Sequence, residues 1–257
     1  MSDNTIVVSI DGPVAVVCLN RPESYNAFNK RMREELTMVL LGLKADLSIR
    51  VVVLTGAGRG FCAGVDLKEK SEKTSEQVLE TEFRPFLECI WNSEKLYIAA
   101  LHGHAAGIGA ALALACDFVV IEETGMLTLS FAAIGLIPDG GLVWHLNRAL
   151  GPRRALEAIV EGARLAPDFC LRHGLVNRVV EPGTAVPASE EWAVQLAKSS
   201  PLAGSTAKKL LAASAMLDLG QTFSAEAVAQ TTLVNSADHN RGVEAFFSGE
   251  SPEFKGN

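Results

Sequence analysis

The chain has 257 residues and a formal net charge of -7; 48% of its residues are hydrophobic and 21% are charged. That length accommodates one large domain, or one domain with an appendage, and the balance is ordinary for a soluble globular protein. Acidity argues against a nucleic-acid surface, which needs clustered Lys and Arg, yet leaves room for a phosphate-bearing ligand held by a few local cations or helix N-termini.

The opening MSDNTIVVSIDGPVAVVCLNRP has no basic start and no long apolar run, so no signal peptide is expected. Residues 6–10 and 14–19 are β-rich runs around Asp11-Gly12-Pro13, a hairpin signal, and Asn20-Arg21-Pro22 stops the second. Between 30 and 45 the apolar positions Met32, Leu36, Val39, Leu40 and Leu43 follow helical spacing. Residues 51–54 are wholly apolar, the mark of a strand covered on both faces. A polar, helix-prone stretch covers 71–91. Strands are expected at 97–101, 118–121, 126–129 and 175–180, and helices through Leu114 and at 142–150, 153–160 and 167–173. The most apolar stretch, 96–120, is interrupted by His102, Gly103, His104, Gly107, Gly109 and Asp117, so it reads as a buried strand, turn and helix and not as a membrane span. Beyond Pro187 only helix formers remain, with breaks at Ser200-Pro201 and near Gly220. Residues 1–187 therefore form an α/β core and 188–257 a helical appendage.

Three glycine-rich segments stand out. GAGRGFCAGVDL (56–67) follows an apolar strand. It admits a dinucleotide-binding turn, a plain glycine loop, or a turn in which Gly64 bends the chain so that the N–H of Val65 faces a ligand. Against the first, the glycines run into Phe61-Cys62 and not into a helix, and the third fingerprint glycine is missing. HGHAAGIGAALALACD (102–117) crowds small residues at the start of a helix that is apolar on all faces. Such a helix is buried, and its N-terminus offers unpaired N–H groups and partial positive charge. Close packing of helix on sheet is the alternative reading, and both roles can hold together. IGLIPDGG (134–141) sets Asp139 among apolar residues and glycines ahead of a helix. Such an Asp reads as an N-cap or, more sharply, as a catalytic base.

His102 and His104 have no partner at ligand spacing, and HExxH is absent, so no metal is expected; GxSxG is absent as well. The five cysteines, Cys18, Cys62, Cys89, Cys116 and Cys170, form no CxxC pair and read as reduced, mostly buried thiols of a cytoplasmic protein.

Taken in order, LNRPESYNAF, VVVLTGAGRGFCAGVDL, AALHGHAAGIGAALALACD, IGLIPDGG and GLVNRVV resemble the crotonase (enoyl-CoA hydratase/isomerase) superfamily over roughly residues 5–185. The resemblance implies an α/β fold: a spiral of ββα turns forming two nearly perpendicular sheets, with a C-terminal helical trimerisation region and assembly into trimers or dimers of trimers. It implies an acyl-CoA thioester substrate, with coenzyme A as part of that substrate and no other cofactor. Two peptide N–H groups, those of Val65 and Ile108, would grip the thioester oxygen, beside Gly64 and Gly107. Prepositioned donors of this kind stabilise a developing enolate, each by about 3–4 kcal/mol. Coenzyme-binding positions would be Ser24, Tyr25, Ala27, Ala63, Asp66 and Leu67. Many relatives carry Lys where this chain has Glu23.

Typical hydratases of that superfamily carry two glutamates, at the positions of Ala111 and Phe131 here. Hydration is easiest when two carboxylates orient water and exchange protons. Asp139 remains, where several isomerases and dehalogenases of the superfamily put their one working carboxylate, and apolar neighbours such as Phe131, Ile134 and Leu136 would raise its pKa. The expectation is therefore an isomerase that shifts the double bond of an enoyl-CoA between the 3,4 and 2,3 positions, or a ring-type phenylacetyl-CoA isomerase. The competing readings are a hydratase with atypical acid/base groups, a hydrolase or dehalogenase using Asp139 as nucleophile, and a non-catalytic acyl-CoA-binding protein.

Overall fold

The computed structural model describes residues 4–257, so the first three residues of the stretch read for a leader lie outside it. The β-rich runs form strands β1 (Ile6–Asp11) and β2 (Val14–Leu19), which pair antiparallel. Helix α1 (Lys30–Ala45) starts where the Asn29 side chain accepts from the Met32 N–H at 2.9 Å, and it buries Met32, Leu36, Leu40 and Leu43 along one face.

Three ββα turns follow. The first runs from β3 (Val51–Gly56) through a single bridge residue, Cys62, to a helical stretch of α2 (Ser75–Val78), a π turn (Leu79–Phe83) and α3 (Arg84–Trp91). The second is β4 (Leu96–Leu101), β5 (His104–Ala106) and α4 (Ile108–Ala115). The third is β6 (Phe118–Glu122), β7 (Met126–Thr128) and α5 (Leu142–Val160). Strand β8 (Arg164–Leu165), helix α6 (Pro167–Arg172) and strand β9 (Arg178–Val180) complete the core. The first strand of each turn joins one sheet, ordered β1-β2-β3-β4-β6-β9 and parallel from β2 onward; the second strands join another, β5-β7-β8.

Every residue of β3 is buried, as its unbroken apolar run predicts. Val52 and Leu54 face the main core with α1, α3 and α4, whereas Val51 and Val53 face Ala185, Ala193 and Trp192 of α7 (Ala185–Leu196) on the other side. The boundary drawn at 187 thus falls inside a helix that packs on the sheet. The two helices expected at 142–150 and 153–160 are present as the two halves of α5, separated by a kink where Gly151 takes non-helical backbone before Pro152. The last core strand is shorter than expected, 178–180, and β5 and β8 are additions.

Helices α8 (Pro201–Ser214), α9 (Leu219–Val234) and α10 (Ala237–Ser248) form the C-terminal region. The break near Gly220 lies just before it, since Asp218 caps α9 by accepting from the Gln221 N–H. Helix α8 is tied to the core by Lys208, whose Nζ donates to Ile90 O at 2.8 Å and meets the Asp117 carboxylate at 2.9 Å. Helix α9 buries no residue, and a cavity of about 800 Å3 is lined by apolar groups of this region such as Leu233, Phe246 and Phe254. No helix among the described residues is long and apolar enough to cross a membrane.

Candidate active site

The site grows from two glycine crossings. Gly64 has φ +100°, and a Cβ there would lie 3.0 Å from the Ala106 carbonyl oxygen. Gly107 has φ 55° and ψ −130°, which a residue with a side chain rarely adopts. A Cβ on Gly107 would lie 3.8 Å from the Gly64 Cα and 3.8 Å from Cζ of the Phe131 ring. The two backbones therefore lie close together; positive φ favours glycine at both positions, and at Gly64 the Ala106 carbonyl leaves little room for a side chain as well.

Each glycine is followed by an N–H with no acceptor among the described residues. Around Val65, the Phe28 N–H donates to Gly64 O at 2.7 Å and the Asp66 N–H donates to Phe28 O at 3.0 Å, so the neighbours' groups are spent and that of Val65 is not. Ile108 is the first residue of α4, whose early amides have no acceptor within the helix. The Gly107 carbonyl takes the amides of Ala110 and Ala111, at 3.0 and 3.2 Å, which leaves the Ile108 N–H unpaired at the positive end of a wholly buried helix.

Cys62 braces this crossing from below. Its Sγ donates to Asn26 O at 3.1 Å and accepts from the Gly64 N–H at 3.5 Å, and Gly109 is packed so tightly on it that a Cβ would come within 2.9 Å of the sulfur. Burial pushes the thiol pKa up to about 12, so it stays a neutral donor.

Asp139 lies on the loop that leads into α5. It does not cap that helix: Gly141 is the N-cap, with no side-chain bond, because Gly140 and Gly141 both take left-handed backbone. A Cβ on Gly140 would come within 2.3 Å of Ile108 Cδ1 and 2.8 Å of Ala111 Cβ, so the loop lies directly on the first turn of α4. Asp139 Oδ1 is buried with no hydrogen-bond partner, and burial raises the carboxyl from 3.8 to about 6. At the two positions where a second carboxylate would serve hydration stand the buried methyl of Ala111 and the buried ring of Phe131.

The turn at 21–27 flanks the other side. Tyr25 and Asn26 both have positive φ, 51° and 57°. Asn26 is fully buried; its Nδ2 donates to the carbonyls of Ala57 and Gly60, each at 2.9 Å, and of Phe61 at 3.1 Å, while Oδ1 accepts from the Arg21 N–H. Tyr25 O receives the Ala63 N–H at 2.9 Å. Arg21 donates to Ala27 O and, at 3.0 Å, to Asp66. Partial burial works against the Asp66 charge, but the Lys68 amide and Arg21 outweigh it and hold the carboxyl below its ordinary range.

The side chains of Ser24 and Asp66 are therefore engaged within the protein, Ser24 Oγ donating to Arg21 O, and Ala27 is buried. Tyr25, Ala63, Val65 and Leu67 are exposed at the rim. Arg21 and Asn26 organise the turn and escape a reading that looks for reactive side chains; an Asn in a left-handed position beside a glycine loop is the signal that could have found the second.

The pattern of the enoyl-CoA hydratase/isomerase family matches residues 9–257. The chain belongs to that family. This enoyl-CoA hydratase/isomerase family member is similar over its full length to proteins of differing activity. It is 32% identical to the 1,2-epoxyphenylacetyl-CoA isomerase of Escherichia coli, with 98% of each chain covered. It is 33% identical to the 2,3-dehydroadipyl-CoA hydratase of the same organism, again with 98% of each covered. The crystal structure of an enoyl-CoA hydratase from Bacillus anthracis superposes with a TM-score of 0.92 at 32% identity, covering 99% of this chain and 100% of that one. The fold is accordingly that of the crotonase superfamily, and the substrate class is the acyl-CoA thioester.

Proposed function

We propose that this enzyme isomerises an unsaturated acyl-CoA, with Asp139 as its single acid/base group. One observation carries the reading: a half-buried carboxylate with one enclosed, unpaired oxygen is carried next to Gly140, which packs on the first turn of α4, and no second carboxylate stands at 111 or 131. In this mechanism the N–H groups of Val65 and Ile108 donate to the thioester oxygen. Asp139, ionised, removes a proton from C2 of a 3-enoyl thioester, and the C2–H electron pair becomes the enolate. The two donors hold the negative charge on oxygen. The protonated Asp139 then returns the proton to C4, and the double bond settles between C2 and C3. A pKa near 6 suits a group that must both take and give the proton near neutral pH.

Hydration needs a water placed between two proton-transfer groups, and the Phe131 ring and Ala111 methyl supply neither. The similarity to an epoxyphenylacetyl-CoA isomerase favours ring-type acyl groups as a second substrate class. Assembly as a trimer or dimer of trimers is proposed with the C-terminal helices as the contact, because Leu219, Phe223, Phe246 and Phe247 are exposed there.

The test supplies a 3-enoyl-CoA and crotonyl-CoA to wild type and to Asp139→Asn. The reading expects conjugated product from the first in wild type only, and no loss of conjugated absorbance from the second. Rapid hydration of crotonyl-CoA, or undiminished isomerisation by the variant, contradicts it.

A further inference from the structure

Arg33 lies in the first turn of α1, and its side chain is only 4% exposed although it carries a full charge. All three of its side-chain nitrogens are engaged. Nε donates to the Glu82 carboxylate at 2.9 Å, Nη2 meets Glu82 at 2.7 Å and Glu69 at 2.9 Å, and Nη1 donates to Phe28 O at 3.2 Å. Lys73 meets Glu82 at 2.8 Å, so two cations face two carboxylates. A buried ion network of this kind is seldom a net gain over apolar side chains of similar volume. Stability alone therefore does not account for a guanidinium in this place.

The network braces the donor loop. The Phe28 N–H donates to Gly64 O at 2.7 Å, and Phe28 O accepts from the Asp66 N–H at 3.0 Å. The Gly64 C=O and the Val65 N–H belong to one planar trans peptide, so they leave it at opposite edges. Holding that carbonyl against Phe28 turns the Val65 N–H away from Phe28, to where no protein acceptor among the described residues takes it. The turn after Val65 is tied down as well. The Glu69 N–H donates to Asp66 O at 3.0 Å, and the Glu69 carboxylate accepts from the Lys30 N–H at 2.7 Å besides pairing with Arg33. Arg33 thus holds both Phe28, which fixes the Val65 peptide, and the turn that follows it. Arg21 braces the neighbours Ala27 and Asp66 but makes no bond to this pairing.

We propose that Arg33 is a positioning residue for the Val65 amide, holding the Phe28 pairing that aims this N–H at the thioester oxygen. The proposal rests on the reading of Val65 and Ile108 as the oxyanion donors, and not on which reaction follows. Loss of Arg33 then weakens the polarisation of a bound thioester carbonyl and leaves the ligand in place.

Butanoyl-CoA carrying a heavy-carbon label at the thioester carbonyl is the probe, since a saturated chain undergoes neither isomerisation nor hydration. Isotope-edited infrared difference spectra of the full-length protein record how far binding lowers the carbonyl stretch, for wild type, R33K and the charge-balanced R33M/E82Q. Calorimetry gives the affinity, and circular dichroism checks the fold. In wild type the stretch falls on binding. In R33M/E82Q about half of that fall is expected to be lost, and kcat for a 3-enoyl-CoA drops about tenfold, short of the loss from removing a donor outright. Affinity for butanoyl-CoA is expected to stay within about threefold of wild type. R33K, which keeps the charge without the fork, is expected in between.

A wild-type stretch in R33M/E82Q overturns the proposal. So does a stretch returned fully to its free value, which would mean that both donors are lost and the site has collapsed. If the double variant does not fold, R33K decides on the same band: a partial loss supports the proposal, and the wild-type value overturns it. A wild type whose carbonyl stretch does not fall on binding sinks the oxyanion reading, and the proposal with it.

Discussion

The two halves of the site are built from different materials. The donor half, at 64–65 and 107–108, is backbone: its polar groups are peptide amides, and its geometry depends on where two glycines let chains lie close together. The base half is one side chain, Asp139, carried on a loop pressed against α4. The donor half therefore resists any substitution that leaves the backbone in place, whereas the base half is lost with one carboxylate. The halves also differ in cost. The donors are set by backbone geometry, a helix start at Ile108 and a glycine turn at Val65, while the carboxylate is held against its preference for water, in keeping with its raised pKa.

Three changes separate the halves further. The largest effect is expected from Asp139→Asn: kcat falls by about 10³-fold or more, within the range of lost general-base catalysis, with acyl-CoA affinity retained. Stopped turnover with intact binding, measured by steady-state kinetics and calorimetry, supports the division; loss of both places Asp139 in binding instead. Next is Gly107→Ala, which forces a side chain into a glycine-only conformation beside Phe131 and shifts the Ile108 amide. A kcat loss of about 10²-fold is expected, as for removal of one oxyanion donor, with circular dichroism checking that the fold survives. Retained kcat would mean that this amide does not act.

The Asp139→Asn change also bears on stability. The folded carboxyl holds its proton up to about pH 6 while an unfolded Asp releases it near 3.8, so the folded state binds more protons in between and stability falls as pH rises through that window. The penalty is fully present above the folded value, on the order of 2 kcal/mol. Asp139→Asn should thus raise Tm at about pH 8 and lose that advantage at about pH 4. A lower Tm at the higher pH would assign Asp139 a structural role. In wild type, kcat/KM should rise with pH through about 6 as the base ionises. The smallest effect is expected from Ala111→Glu. Ala111 is fully buried with the Gly140 loop packed close to its methyl, so the variant should lose about 1–3 kcal/mol to overpacking and gain no hydratase activity; appearance of hydration would show that the loop yields.

Much of this was legible in the sequence because glycine and charge are conspicuous in an apolar setting. Gly64 and Gly107 mark the places where chains cross, and Asp139 is a lone acid among apolar residues. Strands β5 and β8 were not legible, since runs of three and two residues are too short to display a period. Nor was the role of Asn26, whose Nδ2 acceptors lie 31 to 35 residues away. The capping alternative for Asp139 failed for a local reason: two left-handed glycines move the helix start to Gly141.

The central claim is that the amides of Val65 and Ile108 meet on one oxygen. A crystal structure of Asp139→Asn with a bound 3-enoyl-CoA tests it most directly. The account predicts the thioester oxygen about 2.7–3.1 Å from both nitrogens, with C2 facing residue 139. An oxygen bound by neither amide, or by one alone, would contradict it.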